Sequence, residues 1–247
     1  MKIVVVGGTG HIGRQVVDHL TEWGHDAVAA SPSTGVDTAT GAGLAEALTG
    51  ADVVVDVTNA PSFDGPVVVD FFERSTTNQL AAEAAAGVRH HVALSIVGVD
   101  RLQPSGTVGY LDGKVRQEQL IADSAVPSTV VRATQFHEFI ATIADASTRS
   151  DGVHLPHTLF QPVAAADVAR LVAEVAAGEP RGVVEIAGSK KAPMDEFVGA
   201  VLRDRGDDRS VVRDDAGGYF GAQLADDGLV PVTDGAVIGA TNLAVDV

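Results

Sequence analysis

The 247-residue chain has no cysteine, which excludes disulfides, thiolate catalysis and cysteine-ligated metal outright. Aromatic residues make up only 4% of it, with one tryptophan and two tyrosines. Val and Ala therefore carry the burial, within a hydrophobic content of 45% that supports a sizeable core. Cations are scarce too. Seventeen Lys and Arg stand against 33 Asp and Glu, a formal net charge of −16. Nucleic acid and anionic membranes need a positive surface, so neither is expected as the main partner. The acids are scattered, apart from small clusters such as Asp207-Asp208 and Asp226-Asp227, and read as a soluble acidic surface. No apolar run approaches the roughly 20 residues needed to span a bilayer. The start lacks the pattern of a signal peptide, because Lys2 leads straight into a strand and a glycine turn. The cytoplasm is the expected compartment.

What is present is concentrated at that start. Ile3 to Val6 is a short β-branched run of the kind that forms a buried parallel strand. It ends at Gly7, and glycines recur at Gly10 and Gly13. Ile12, Val16, Val17 and Leu20 then follow helical period, so the glycines sit where a strand turns into a helix. Such a turn lets the backbone lie against a pyrophosphate, whose charge faces the free N–H groups and positive end of the helix. Gly7, Thr9, Gly10, His11, Ile12, Gly13 and Arg14 form the expected dinucleotide-binding turn.

Strands and helices then alternate. Ala27–Ala30, Asp52–Val57, His91–Ser95 and Ser128–Arg132 read as strands, and Gly43–Leu48, Asp70–Ala86 and Gly109–Ala125 as helices. Alternation of this kind predicts a parallel sheet covered by helices on both faces, an α/β fold. Beyond residue 133 the rhythm loosens. Helices are expected at Phe136–Ala146, Asp167–Ala177 and Pro193–Arg205, with a strand at Val183–Ala187. Val153–Pro162 shows little periodicity, and the last forty residues are the least readable. One domain, 1–247, is expected, with a dinucleotide-binding core over 1–132 and a mainly substrate-binding portion over 133–247. Loops 100–108 and 147–160 and the C-terminal forty residues are expected to build the substrate pocket.

Tyr110 and Lys114 are four apart at the start of a predicted helix, which puts both on one face. An ammonium near a phenol lowers its pKa and makes it a better proton donor near neutral pH. Ser95 ends the strand upstream, at the edge where open α/β sheets bind ligands. Its hydroxyl can hold a substrate carbonyl while Tyr110 protonates the oxygen. The competing reading is a helix pair with no chemical role. Gly113, directly before Lys114, is a poor helix residue, and Glu118 reads as a helix-face ion pair.

The pieces Gly-Gly-Thr-Gly-His-Ile-Gly, Ala-Asp-Val-Val-Val-Asp-Val-Thr-Asn, Ala-Gly-Val-Arg-His-His-Val-Ala-Leu-Ser, Tyr-Leu-Asp-Gly-Lys and Val-Val-Arg-Ala-Thr-Gln-Phe occur in order. As a set they resemble the atypical short-chain dehydrogenases/reductases, specifically the NmrA-like NAD(P)-binding group, over residues 1 to about 190. The resemblance implies a Rossmann fold, a doubly wound parallel sheet with a small C-terminal substrate-binding portion, and a nicotinamide dinucleotide as cofactor. It places the Ser, Tyr and Lys roles of the short-chain reductases on Ser95, Tyr110 and Lys114, the lysine also holding the nicotinamide ribose. Many NmrA-like members lack the tyrosine, and some sense the cofactor without turning it over. This chain retains it.

An NAD-type acid is missing after the second strand, which runs into Ser31-Pro32-Ser33-Thr34. Ser31 and Ser33 can donate to a 2′-phosphate, with Arg14 and His11 as the nearby cationic candidates, so NADP is favoured over NAD. Asp37 reads as a partner of the adenine amino group or as a plain loop acid. Asn59 lies where the cofactor ribose would pass, the backbones of Ala133 and Thr134 where they meet a carboxamide. Phe136 and His137 are expected to shape the substrate pocket, and Phe139 to pack in the core. The other histidines are read as structural: His90-His91 lie on opposite faces of a strand start, and His154 and His157 flank Leu-Pro. No metal site is expected. No Gly-x-Ser-x-Gly elbow supports a serine hydrolase.

The expected activity is an NADP(H)-dependent oxidoreductase passing hydride to a carbonyl or quinone-like small molecule, with Tyr110 as proton donor. The alternatives are an NADP(H)-binding redox sensor without turnover, and an epimerase or dehydratase. Homo-oligomer formation is left open.

Overall fold

The computed structural model describes residues 1–62, 64–101, 108–216, 219, 224–245 and 247. Strands β1 (Lys2–Val6), β2 (Asp26–Ala30), β3 (Val53–Asp56), β4 (His90–Ile96) and β5 (Ser128–Ala133) alternate with helices α1 (His11–Glu22), α2 (Leu44–Ala47), α3 (Gly65–Ala86) and α4 (Tyr110–Ala122). Helix α5 (Ile140–Ala146) and the short strands β6 (Thr148–Arg149), β7 (Gly152–Leu155) and β8 (Leu159–Phe160) come next. They are followed by α6 (Ala165–Ala176), β9 (Gly182–Ala187), β10 (Ala192–Pro193), α7 (Met194–Asp204), β11 (Val211–Arg213) and β12 (Val237–Ile238).

The central sheet is parallel and seven-stranded, in the order β12-β9-β5-β4-β3-β1-β2, and helices flank it in a Rossmann-like α/β fold. The apolar runs of β1 and β3 reflect cover on both faces: Ile3, Val4, Val5, Val54 and Val55 are all fully buried. On one face Val4, Val6 and Val54 pack with Val36, Leu44, Leu48 and Val88. β1 pairs with β2 on one side and β3 on the other, so the winding reverses between β1 and β3. Ligands of such sheets bind outside the carboxyl ends of the strands at that switch.

The chain forms two compact units. The first comprises Met1–Ser95, Gly109–Arg132 and Val168–Val184; the second comprises Ile96–Val108, Ala133–Asp167 and Glu185–Val247. The second unit has a core of Ile140, Ile143, Leu155, Phe160, Met194 and Phe197, all essentially inaccessible, with Phe160 and Phe197 edge to face at 5.5 Å. A three-stranded sheet, β11-β7-β6, and the β8–β10 pair complete it. Arg209 ties this unit together by reaching Asp207, Asp145 and Thr148.

Three elements depart from the sequence reading. α3 begins at Gly65, not Asp70, because Pro66 falls in its first turn, where the missing N–H costs nothing. Phe136–Ala146 is not one helix: a 3-10 turn over His137–Phe139 precedes α5. The aperiodic stretch after 150 contains β7 and β8, too short to show a repeat. Gly113 does not interrupt α4. It is buried inside the helix, and a Cβ there would lie 2.6 Å from Val68 Cγ1 and 2.9 Å from Phe72 Cδ2 of α3. Glycine is what lets the two helices approach this closely.

Candidate active site

The glycine turn forms as the spacing requires. Gly7 leaves β1 with φ +81°, and a Cβ on it would meet the Val57 carbonyl oxygen at 2.9 Å. A Cβ on Gly13 would come within 2.2 Å of the Gly7 carbonyl oxygen, so the third glycine seats α1 against the turn. Gly10 stands at the N-cap of α1 with no side-chain cap, and no acid occupies the first turn. The first N–H groups of a twelve-residue helix are thus left open to an anion. Thr9, Gly10, His11 and Arg14 are exposed around them, while Ile12 and Gly13 are buried, so Ile12 offers only its backbone. This cradle fits a dinucleotide pyrophosphate.

Past β2, Ser31 is buried and its hydroxyl shares a 2.8 Å hydrogen bond with that of Ser33, which is exposed. Asp37 spends Oδ1 on the N–H groups of Ala39 and Thr40 at 2.9 and 3.3 Å, the geometry of a loop-capping acid.

The carboxyl ends of β3 and β4 and the start of α4 bring four of the predicted residues into the same unit. Tyr110 donates its hydroxyl to Asn59 Oδ1 at 2.7 Å, and its ring lies edge-on to Phe72. Ser95 is buried, and its Oγ has no hydrogen-bond partner among the described residues. Lys114 is buried as well. It donates to the Leu94 carbonyl at 2.9 Å and to Gln117 Oε1 at 2.7 Å, and its Nζ sits 4.3 Å from the centre of the Phe72 ring.

This arrangement corrects one expectation. The ammonium does not lower the Tyr110 phenol; burial pushes the phenol up to about 12. The reason is direction. Lys114 directs its donors to the Leu94 carbonyl and to Gln117, a turn further along α4. Burial takes Lys114 down to about 8, with Asp56 and Glu118 opposing that fall. Glu118 does form an ion pair, but across to Arg132 of β5, at 2.6 Å between Arg132 Nη2 and Glu118 Oε2, instead of along its own helix face.

Four predicted residues lie in the second unit. Thr134 donates its N–H to Ile186 and its hydroxyl to Gln161, and the Ala133 carbonyl accepts from Val97 N–H at 2.9 Å. Those backbone groups are engaged in the protein's own pairing. Phe136 is half-buried. His137 is buried with Nε2 2.9 Å from the Pro162 carbonyl oxygen, so that edge of the ring is committed. Phe139 is half-buried rather than in the core. Of the segments expected to build the substrate pocket, residues 102–107, 217–218, 220–223 and 246 lie outside the described residues.

Sequence reasoning missed the polar interior beneath Lys114. Asp56, at the end of β3, accepts from Thr58, Gln79 and Gln117, and Gln79 continues to Ser75 and Thr38. α3 buries Ser75, Thr76, Gln79 and Glu83 along one side. Polar residues at helical spacing suggest a solvated face, and only their partners on β3, β4 and α4 reverse that. Glu83 pairs with the fully buried His91 at 2.8 Å, and His90 meets Thr129 at 2.9 Å on the opposite face of β4.

Solved structures share this fold. A dTDP-4-dehydrorhamnose reductase from Clostridium acetobutylicum superposes with a TM-score of 0.72 at 16% identity, over 94% of this chain and 90% of that one. An NADPH-dependent quinone oxidoreductase from Escherichia coli, complexed with NADPH, gives 0.66 at 21% identity, over 86% and 77%. In sequence, a (4-alkanoyl-5-oxo-2,5-dihydrofuran-3-yl)methyl phosphate reductase of Streptomyces griseus is 35% identical over 146 residues, 54% of this chain. The match spans about half of that relative, 48% of its length. No helix among the described residues is long and apolar enough to cross a membrane. Residues 7–179, more than half of the chain, match the NAD(P)H-binding family, and with the glycine cradle in place the chain belongs to that family.

Proposed function

We propose that this chain is an NADP(H)-preferring reductase of the short-chain type, NmrA-like in its motifs, acting on a carbonyl or quinone-like small molecule. The observation that carries the reading is the grouping of Tyr110 on Asn59, the Ser95 hydroxyl, which has no partner among the described residues, and the buried Lys114 at the carboxyl ends of β3 and β4. The glycine cradle follows β1 in the same unit. The nicotinamide dinucleotide, when bound, supplies the hydride. Tyr110 gives its proton to the acceptor oxygen and regains one from solvent. Ser95 holds that oxygen, its unpartnered hydroxyl having the hydrogen-bond capacity to do so. Lys114, with one N–H not taken by Leu94 or Gln117, holds the ribose hydroxyls. The exposed Ser33 hydroxyl and Arg14 favour a 2′-phosphate, and no acid at the end of β2 competes for a 2′-hydroxyl. The partner is a small molecule, and the chain acts as a soluble protein of the cytoplasm.

The test is oxidation of NADPH and NADH by wild type and Tyr110→Phe across quinones, ketones, aldehydes and an alkanoyl-dihydrofuranone phosphate of the kind named for the Streptomyces relative. NADPH-selective turnover that falls at least about 100-fold in kcat with Tyr110→Phe, while NADPH affinity stays within a few-fold, is the expected result. Equal kcat in the two proteins removes Tyr110 as proton donor. A second reading has one specific observation in its favour: the phenol is raised to about 12, the wrong direction for an activated acid. It is an NADP(H) sensor without turnover, and tight binding of both redox states with silence across the panel is its signature.

A further inference from the structure

Gln117 has no freedom to turn its amide over. An ammonium has no lone pair with which to accept, and a carboxylate has no proton to donate. Oε1 must therefore face Lys114 Nζ, at 2.7 Å, and Nε2 must face Asp56 Oδ2, at 2.9 Å. Asp56 is held in turn by the Thr58 N–H and hydroxyl, at 2.9 and 2.6 Å on Oδ1, and by Gln79 Nε2 at 3.1 Å on Oδ2. Lys114, Gln117, Asp56 and Gln79 are all buried, so solvent cannot substitute for any link. The ammonium has three donors. Leu94 and Gln117 take two, and these two acceptors fix where the third N–H points.

Resting on the reductase reading above, we propose that Gln117, locked by Asp56, is a positioning residue for Lys114. It aims the ammonium and helps it keep its proton, by bringing the Asp56 charge to it through a single amide. Among the described residues, a small set of groups faces Lys114. They are the Leu94 carbonyl from β4, the Phe72 ring from α3, Asp56 from β3, and Glu118 from α4, itself paired with Arg132 of β5. Burial is the largest influence on the lysine and opposes its charge, while Asp56 and Glu118 support it. Removing the amide oxygen takes away the side-chain acceptor that Lys114 has among the described residues.

The experiment reads Lys114 directly, by ¹³Cε NMR titration of the full chain labelled at lysine. The chain has four lysines, and loss of one signal in Lys114→Arg assigns it. Gln117→Met keeps the length of the side chain and removes the acceptor. It should lower the Lys114 midpoint by about one unit or more, the tenfold that a hydrogen bond to a charged group is worth. The alkaline limb of the pH–rate profile should move to lower pH with it. The paired exchange Asp56→Asn with Gln117→Glu preserves the chain of hydrogen bonds and its single negative charge, but places that charge one link nearer the ammonium. Gln79, whose Oε1 has no partner among the described residues, can turn its amide to match. In this variant the midpoint should rise above that of wild type, and the alkaline limb should move up. A purely structural role for Gln117 predicts neither rise. A Gln117→Met midpoint equal to that of wild type overturns the proposal, as does a paired exchange that titrates no higher than wild type. Titrations that move as expected, together with turnover indifferent to Lys114→Ala, would uphold the positioning of Lys114 and overturn only its role in the reductase.

Discussion

Replacing Gly113 with alanine improves the intrinsic helix propensity of α4 by about 1 kcal/mol, yet we expect the protein to lose stability. The added Cβ would lie 2.6 Å from Val68 Cγ1, 2.9 Å from Phe72 Cδ2 and 3.2 Å from the Val68 carbonyl oxygen. Val68 and Phe72 are both fully buried, and the β-branched valine has no spare rotamer to adopt on a helix. Overpacking of this kind costs about 1–3 kcal/mol, and two immobile neighbours place it in the upper half of that range. Subtracting the propensity gain leaves a net loss of about 1–2 kcal/mol, a fall in Tm of roughly 2–8 °C for a chain of this length. Urea unfolding and calorimetry of Gly113→Ala, Val68→Ala and the double variant form the assay. Removing Val68 Cγ1 should relieve the overlap, so the double variant should be more stable than the sum of the single effects predicts. A Gly113→Ala protein as stable as wild type, or strict additivity in the cycle, would refute the close-approach argument. Because α4 carries both Tyr110 and Lys114, activity should fall with Gly113→Ala and return in the double variant.

Lys114 titrates near 8 in the folded protein, down from 10.5, so the unfolded chain binds more protons between those values and raising the pH through that range favours the folded state. The stability of wild type relative to Lys114→Met should accordingly climb between pH 8 and 10, and parallel curves would contradict the buried ammonium. His91 behaves oppositely. Burial pulls it down, but the Glu83 charge and hydrogen bond outweigh that and raise it above 6.5. A raised folded value gives stability that is complete below 6.5 and lost as pH rises through the folded value, so Glu83→Gln should cost most near pH 5.5 and progressively less toward pH 9 in urea melts. Finally, Arg14→Ala should raise the KM for NADPH about tenfold and leave that for NADH nearly unchanged, as expected for loss of one charge-assisted contact to a 2′-phosphate. Equal effects on both cofactors would remove Arg14 from that role.

Local chemistry by itself determined the strand, glycine turn and helix over residues 2–22, since burial on both faces of β1, the backbone of Gly7 and the period of α1 each act over a few residues. It also determined the alternation that makes a parallel sheet, and the placing of Ser95, Asn59 and Tyr110 at strand and helix ends. Tertiary structure decided the rest wherever a residue's meaning depends on a distant partner. Ser75, Gln79 and Glu83 look like the wet side of α3 until Thr38, Asp56 and His91 meet them. Gly113 looks like a weak point in α4 until Val68 and Phe72 show why a side chain cannot stand there. Four-residue spacing put Lys114 and Tyr110 on one face, but spacing carries no information about direction. A buried ammonium goes to the strongest acceptors within reach, and those are the Leu94 carbonyl and Gln117, the latter held in place from 61 residues away by Asp56.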